Sequence, residues 1–406
     1  MNTMEQPSAI LCLGGGFAQL ALIEQIVRAG HRCIVADDRP NIPAARVAHE
    51  ILPASRHEAC GLEPYIRLKD ITGVVSGGSD RSVLAMSEIA VAFGLPTYVK
   101  PEIAALPTAK DEMRRHLQSA GVRVPRAVAA RSEGELVEAI HMVGFPAVIK
   151  PSDGIGQSGV NRVDGSADVA DAFEKAVARS RSGIAIVEEF LEGPEVGVNG
   201  LIVGGVFHLL SVSERNAEQS QGTSFGVAYS KRTPARCAAA YLDEIGREVG
   251  KAAASFRMNF GPIYSQVKLT PRGPVIIEIM PRLGGGEDPR MVRLATGVDT
   301  CLATIWAALG RGFSLRDVIV GSGNQAVVME FLRARPGVVR EIRGLEQARA
   351  VPKVCEVIVY TNPGDRIVET ATSADRLGVV IAAADLQEAQ AAADTATTCI
   401  GFLTVT

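Results

Sequence analysis

The chain predicts an α/β domain followed by α+β domains, a multidomain architecture, and three observations carry that reading. The stretch A-I-L-C-L-G-G-G at 9–16 is an apolar run that breaks into glycines. Apolar positions at helical spacing follow (Leu20, Ile23, Ile26, Val27), closing at Gly30, and a second apolar run at 33–36 ends in Asp37 and Asp38. This is a βαβ start. Further along, strand-like runs at 198–203 and 206–212 flank Gly204-Gly205, a hairpin signal. Finally, 406 residues exceed what one ordinary core supports, so two or three domains are expected.

A strand at 73–75 and a helix over 83–93 continue the alternation and give a Rossmann-like N-terminal domain over 1–105. Pro96, Pro101 and Pro107 mark the linker that closes it. The next elements are a charged helix over 110–120, ending at Gly121, and a helix over 132–143. The second helix has Ser132 as N-cap and Glu135 at the capping-box position. A short strand at 146–150 delivers Lys150, a glycine-rich turn spans 152–159, and a helix follows near 167–179. The strand 184–187 ends in Glu188 and Glu189. Residues 214–235 are polar and lack periodicity, which predicts a long functional loop. A helix is expected over 238–256. Beyond Trp306, strands at 327–332, 354–360 and 379–382, an alanine-rich helix and a final short strand give a small α+β C-terminal domain over 311–406. The intervening 106–310 forms the central unit, two subdomains meeting near 188.

Composition excludes several function classes. A hydrophobic fraction of 47% and a charged fraction of 21% are those of a globular chain, and a net charge of −3 offers nucleic acid or anionic membrane no electrostatic footing. The seven cysteines (Cys12, Cys33, Cys60, Cys237, Cys301, Cys355, Cys399) lack C-x-x-C spacing and read as thiols in a reducing cytoplasm. The first apolar run, 9–13, is too short for a signal peptide or a membrane span. A cytoplasmic protein is expected.

The residues that carry chemistry lie in the central unit. In V-I-I-E-I-M-P-R-L-G-G-G, residues 275–286, an apolar strand delivers Glu278, whose neighbours Ile277 and Ile279 leave it on the opposite face. A carboxylate there suits a hard cation, Arg282 can hold a phosphate by two hydrogen bonds, and Gly284, Gly285 and Gly286 let a ligand approach the backbone. Lys150 ends the strand A-V-I-K before D-G-I-G-Q-S-G. There Gly154, Gly156, Ser158 and Gly159 can wrap phosphate oxygens, although the G-K-[ST] ending of a P-loop is absent. Taken alone, Lys150 is equally a snorkelling surface lysine. The segment V-E-E-F-L-E-G-P-E puts Glu188, Leu191 and Glu195 within reach of an adenine and a ribose, or else forms a solvated acidic patch. Gly14-Gly15-Gly16 with Asp37 invites a dinucleotide reading, but Ala18 and Gln19 break the G-x-G-x-x-G pattern, and a structural turn is the stronger alternative. His208 either faces the site or sits at the surface, and Lys268 serves either phosphate or the sheet edge. Arg215, Asn216, Tyr229 and Lys231 are candidate substrate selectors.

Together these motifs resemble the ATP-grasp superfamily along nearly the whole chain, and among its members the carboxylate–amine ligases of the L-amino-acid ligase kind. R-P-N-I-P-A-A-R-V-A-H-E in the first domain is similar to the purine-pathway members, and D-R-L-G-V-V-I-A resembles the C-terminal domain of these ligases. The resemblance implies ATP-grasp central domains. It puts the two ATP-binding lysines at Lys110 and Lys150, adenine and ribose contacts at Glu188, Glu189, Leu191 and Glu195, and magnesium ligands at Gln266 and Glu278. Arg282 would be the catalytic charge stabiliser, and the 284–286 amides would orient a substrate carboxylate. Two positions depart from the family pattern. Gln266 stands where Glu or Asp is usual, and Met280 stands where Asn is frequent, with Glu214 and Glu218 as loop substitutes.

What the resemblance implies is an ATP- and Mg2+-dependent ligase that makes an amide or peptide bond from a small carboxylate and an amine, amino acids or their derivatives. An acyl phosphate would be the intermediate, with ADP and phosphate released. It allows a homodimer. Rival readings are a ligase that transfers the acyl group to a carrier-protein thiol, a degenerate nucleotide-binding regulator, and an NAD-linked oxidoreductase.

Overall fold

A computed structural model of the chain describes residues 7–57, 61–154, 159–217, 227–370 and 372–405. Gly156, Ser158 and Glu218 lie outside the described residues, as does Cys60.

The N-terminal domain is a four-stranded parallel sheet in the order β3-β2-β1-β4, with β1 at Ala9–Leu13, β2 at Arg32–Ala36, β3 at Glu50–Leu52 and β4 at Ile71–Val75. Its strands are apolar on both faces because helices cover both. Phe17–Arg28 follows β1 and Asp80–Ala92 follows β4, so the first βαβ unit forms as the sequence predicts. The loops at the carboxyl ends of β1, β2 and β4 open toward the rest of the molecule, where open parallel sheets bind ligands.

The first central subdomain is a four-stranded antiparallel sheet in the order β5-β8-β6-β7, formed by β5 (Ala127–Ala130), β6 (Ala147–Pro151), β7 (Asn161–Val163) and β8 (Ala185–Glu189). Helices Glu133–Val143 and Val169–Arg179 cover it and bury their apolar faces in its own small core. Ser132 caps the first helix by accepting from the Glu135 amide, while the Glu135 carboxylate accepts from the Arg131 amide, one position before the box expected from sequence.

An eight-stranded antiparallel sheet forms the rest of the centre, in the order β13-β12-β9-β10-β11-β14-β18-β16. It comprises β9 (Glu195–Val203), β10 (Val206–Ala217), β11 (Ala228–Thr233), β12 (Phe260–Thr270), β13 (Gly273–Met280), β14 (Ala326–Phe331), β16 (Val354–Val359) and β18 (Gly378–Ala384). The Gly204-Gly205 hairpin joins β9 to β10. Through β14, the C-terminal strands extend this sheet, and β15 (Gly337–Arg343), β17 (Arg366–Ile367) and β19 (Gly401–Val405) make a small separate one.

Two expectations are corrected. The polar stretch 214–235 is not a loop over its described part: Glu214, Arg215 and Asn216 of β10 pair with Arg232, Lys231 and Ser230 of β11. The helix expected over 238–256 starts as a 3-10 turn, Arg236–Tyr241, and becomes α-helical only at Leu242–Ser255. No helix among the described residues is long and apolar enough to cross a membrane.

Candidate active site

A cavity of about 1290 Å³ lies where three of the four sheets meet. That exceeds the usual ~300–1,000 Å³ of a single small-molecule site, leaving room for more than one ligand. Its wall draws on the loops after β1, β2 and β4, the β6–β8 sheet, the β10–β13 strands and the C-terminal domain.

Lys110 opens the helix Lys110–Ser119, and its amide donates to the Ser152 carbonyl (2.9 Å). The Ser152 hydroxyl in turn donates to Asp111 (2.6 Å), tying the helix start to the end of β6. From there the Lys110 ammonium reaches the Gly154 carbonyl (2.5 Å) and stands 3.7 Å from Glu278. Lys150, at the end of β6, pairs with Glu188 on β8 at 2.7 Å, and Arg114 grips the same carboxylate at 2.9 Å. All three are at least nine-tenths buried. Burial presses the Lys150 ammonium below its usual value although Glu188 pulls it up. Burial alone would raise the Glu188 carboxyl, but Arg114 and Lys150 outweigh it and hold it low. Lys150 is therefore no snorkelling surface lysine. Glu188 in turn departs from its expected role: its oxygens are spent on two cations, which leaves it positioning Lys150 rather than offering itself to a ribose.

On the opposite wall, Gln266 of β12 and Glu278 of β13 face each other in register. A bulge follows, because Val267 pairs with Ile276 and leaves Ile277 unmatched. Ile277 therefore lines the cavity beside Glu278, against the simple alternation expected from sequence. Met280 is buried and does not line the cavity. Two oxygen donors from neighbouring strands suit a hard cation. Among the described residues no group of three or more His, Cys, Asp or Glu side chains comes together. Glu214 lines the cavity, where its carboxylate accepts from the Cys237 amide (3.1 Å).

Arg282 is 8% exposed and its guanidinium is fixed by Asp80, at the N-terminus of the helix after β4. Glu195 accepts from Arg215 (2.8 Å), which also donates to the Tyr264 hydroxyl (3.1 Å). Across the β10–β11 ladder, Lys231 pairs with Asp288 (2.5 Å) and donates to the Gly285 carbonyl (2.9 Å). Burial pushes the Lys231 ammonium down to about 8 against the pull of Asp288.

Of the residues singled out from sequence, Lys110, Lys150, Gly154, Glu188, Glu189, Leu191, Glu195, Gln266, Glu278, Arg282, Gly285 and Gly286 line one cavity, as do Arg215, Asn216, Tyr229 and Lys231. Glu189 is braced by Arg126 and Arg272. Lys268 lines the cavity and donates to the Gly193 carbonyl (3.0 Å). Gly284 and Gly159 do not line it. A Cβ on Gly284 would lie 2.2 Å from the Asp288 carboxylate, and one on Gly159 would press on Pro151, so both glycines serve packing. His208 does not line it either. Gly15 donates to the buried Asp37 (2.9 Å), whose other partners are Arg39 and Arg56, so Asp37 is not free to take a ribose. Sequence reasoning missed Asp80, Tyr264, Glu287, Tyr360 and Arg376, all on the cavity wall. Glu287 adjoins the glycine triplet and Arg376 lies inside D-R-L-G, so position in a motif was the available signal.

The ATP-grasp domain family matches residues 143–288, the stretch that carries Lys150, Glu188, Gln266, Glu278 and Arg282. The chain belongs to the ATP-grasp superfamily. The L-amino acid ligase C-terminal domain 2 family matches residues 330–405, making this ATP-grasp protein an enzyme of the carboxylate–amine ligase family. It is 28% identical to a phosphoribosylamine–glycine ligase of Leifsonia xyli subsp. xyli over 85% of each chain. It is 25% identical to dapdiamide A synthase of Enterobacter agglomerans over 59% of this chain and 58% of that one. The crystal structure of an L-amino acid ligase from Bacillus licheniformis superposes with a TM-score of 0.83 and 20% identity over 99% of both chains, a likeness of fold.

Proposed function

We propose that this ATP-grasp ligase joins a carboxylate to an amine, both amino acids or their derivatives, through an acyl phosphate, releasing ADP and phosphate. The observation that carries the reading is the meeting of two buried lysines, Lys110 and Lys150, with the Gln266–Glu278 pair and Arg282 on one cavity. The relatives that bear ligase and synthase names, one acting on glycine and one making dapdiamide A, support it. The six cysteines among the described residues are free thiols, which fits a cytoplasmic setting.

The residues fit ATP and Mg2+. Lys110 and Lys150 hold phosphate oxygens, Glu188 aims Lys150, and Leu191 and Glu195 flank the base and sugar. Gln266 and Glu278 would hold Mg2+, whose charge would offset that of the phosphates. Arg282, fixed by Asp80, neutralises charge on the transferred phosphoryl group. In the first step a carboxylate oxygen of the acid attacks the γ-phosphorus and the bond to ADP breaks. In the second, the amine nitrogen attacks the acyl carbon, phosphate leaves with the bonding pair, and the nitrogen loses a proton. The protein supplies no nucleophile, so its contribution is positioning and charge stabilisation.

A pairwise screen of amino acids for phosphate release, with product mass spectrometry, tests this. An amide with stoichiometric ADP is expected. Transfer only to a carrier-protein thiol, or no ADP with any pair, contradicts it.

A further inference from the structure

The C-terminal domain contributes Tyr360, Thr372, Ser373, Ala374 and Arg376 to the cavity wall. Arg376 is 8% exposed, lies over the Phe331 ring at 3.7 Å and donates from Nη2 to the Ala228 carbonyl (2.7 Å). Its Nε is buried without a hydrogen-bond partner, and the one carboxylate among the described residues whose field reaches it, Asp288, is already paired with Lys231. Its neighbours explain the imbalance. Arg215 has Glu195 and Lys231 has Asp288, so two nearby cations have their own carboxylates and the third has none. A buried cation without a counter-charge is costly, so its natural complement is an anion that arrives with a ligand.

Gly286 separates this guanidinium from a carboxylate. A Cβ at Gly286 would lie 3.0 Å from Arg376 Nη1, so glycine keeps that edge open. The next residue, Glu287, is on the cavity wall with its carboxylate held by Arg290 (2.9 Å) and the Tyr360 hydroxyl (3.3 Å). In the ligase reading, on which this rests, the phosphates and the activated acid fall to Lys110, Lys150 and Arg282. The anion left for Arg376 is then on the amine-bearing substrate. We infer that Arg376 receives the carboxylate of an α-amino acid that enters as the amine, and so selects acceptors with a free carboxylate.

The test compares, on the full chain, each active acceptor among the twenty proteinogenic L-amino acids with its carboxamide, product mass identifying which partner is the acceptor. In wild type, KM for the carboxamide should exceed that for the acid at least about tenfold, the discrimination expected of a charge-assisted hydrogen bond. Arg376→Met should raise KM for the acid to the carboxamide's value and change the carboxamide's KM by less than about twofold. Arg376→Lys should recover part of the preference, and its thermal unfolding guards against misfolding. Equal loss with both acceptors, or no preference in wild type, overturns the assignment. Calorimetric titration with the same acids and carboxamides reads recognition without turnover. A wild type that releases no ADP but binds acids better than carboxamides, a preference lost in Arg376→Met, supports the anchor and contradicts the ligase reading. A wild type that binds neither overturns the anchor.

Discussion

Asp80 and Arg282, 202 positions apart, form a two-point ion pair in which Nε donates to Oδ1 at 2.6 Å and Nη2 to Oδ2 at 3.2 Å. Asp80 stands at the carboxyl end of the parallel sheet and Arg282 just beyond β13, so the pair fastens the N-terminal domain to the hairpin that carries Glu278. A guanidinium held from behind keeps one orientation toward the cavity. Asp80→Ala should destabilise the fold by about 3 kcal/mol, the cost of leaving a buried charge alone, and lower ADP release at least about tenfold. Thermal unfolding and a coupled ADP assay check both. Unchanged turnover would remove the positioning role from Asp80.

Glu188 neutralises two buried cations, Lys150 and Arg114. Glu188→Gln should cost about 3–5 kcal/mol, and the double variant with Lys150→Met should recover part of it, because the partners act as a unit. Urea denaturation of the four-member cycle measures the coupling, and strictly additive losses would contradict it.

Gly284 supports the site through packing. In Gly284→Ala the new methyl meets Asp288 at 2.2 Å and Asn199 at 2.9 Å, and Asp288 is the partner of Lys231. Overpacking of this kind should cost about 1–3 kcal/mol in urea denaturation. A fully stable variant with weakened substrate binding would instead return Gly284 to the ligand.

Glu287 gives a pH signature. Burial pushes its carboxyl from 4.5 up to about 7, against the pull of Arg290 and Tyr360. Glu356 lies close enough to push it further, and Glu24 pairs with the same Arg290. A raised folded value means that the native state holds the proton longer. Its contribution is present below 4.5 and is lost as pH rises to about 7. The melting temperature of wild type minus that of Glu287→Gln should therefore fall across that window and level off above it. A difference that is flat with pH would show that Glu287 ionises normally.

Much of the fold was legible because apolar runs, glycine turns and the Ser132 cap are local signals. Lys150, Glu278 and Arg282 were legible because each sits at a fixed offset from such a run, whereas Gln266 was legible only through the family resemblance. The β10–β11 pair was not. Arg215, Asn216, Tyr229 and Lys231 turn polar groups toward the cavity, which erases the alternation that marks a half-buried strand. The Ile277 bulge was hidden because it arises from pairing with β12 rather than from β13 alone. Asp80 and Arg376 reach the site from other domains, and contacts across hundreds of positions leave no periodicity to read. Glu188 showed its type and place but not its partners, so its role changed once Arg114 came into view.

The most direct test of the central claim is one reaction followed by mass spectrometry, with ATP, Mg2+ and pairs of L-amino acids. The account predicts a dipeptide or other amide for at least one pair, one ADP and one phosphate per bond formed, and loss of that product in Lys150→Met. Release of AMP and pyrophosphate, or an amide formed equally well by Lys150→Met, would contradict it.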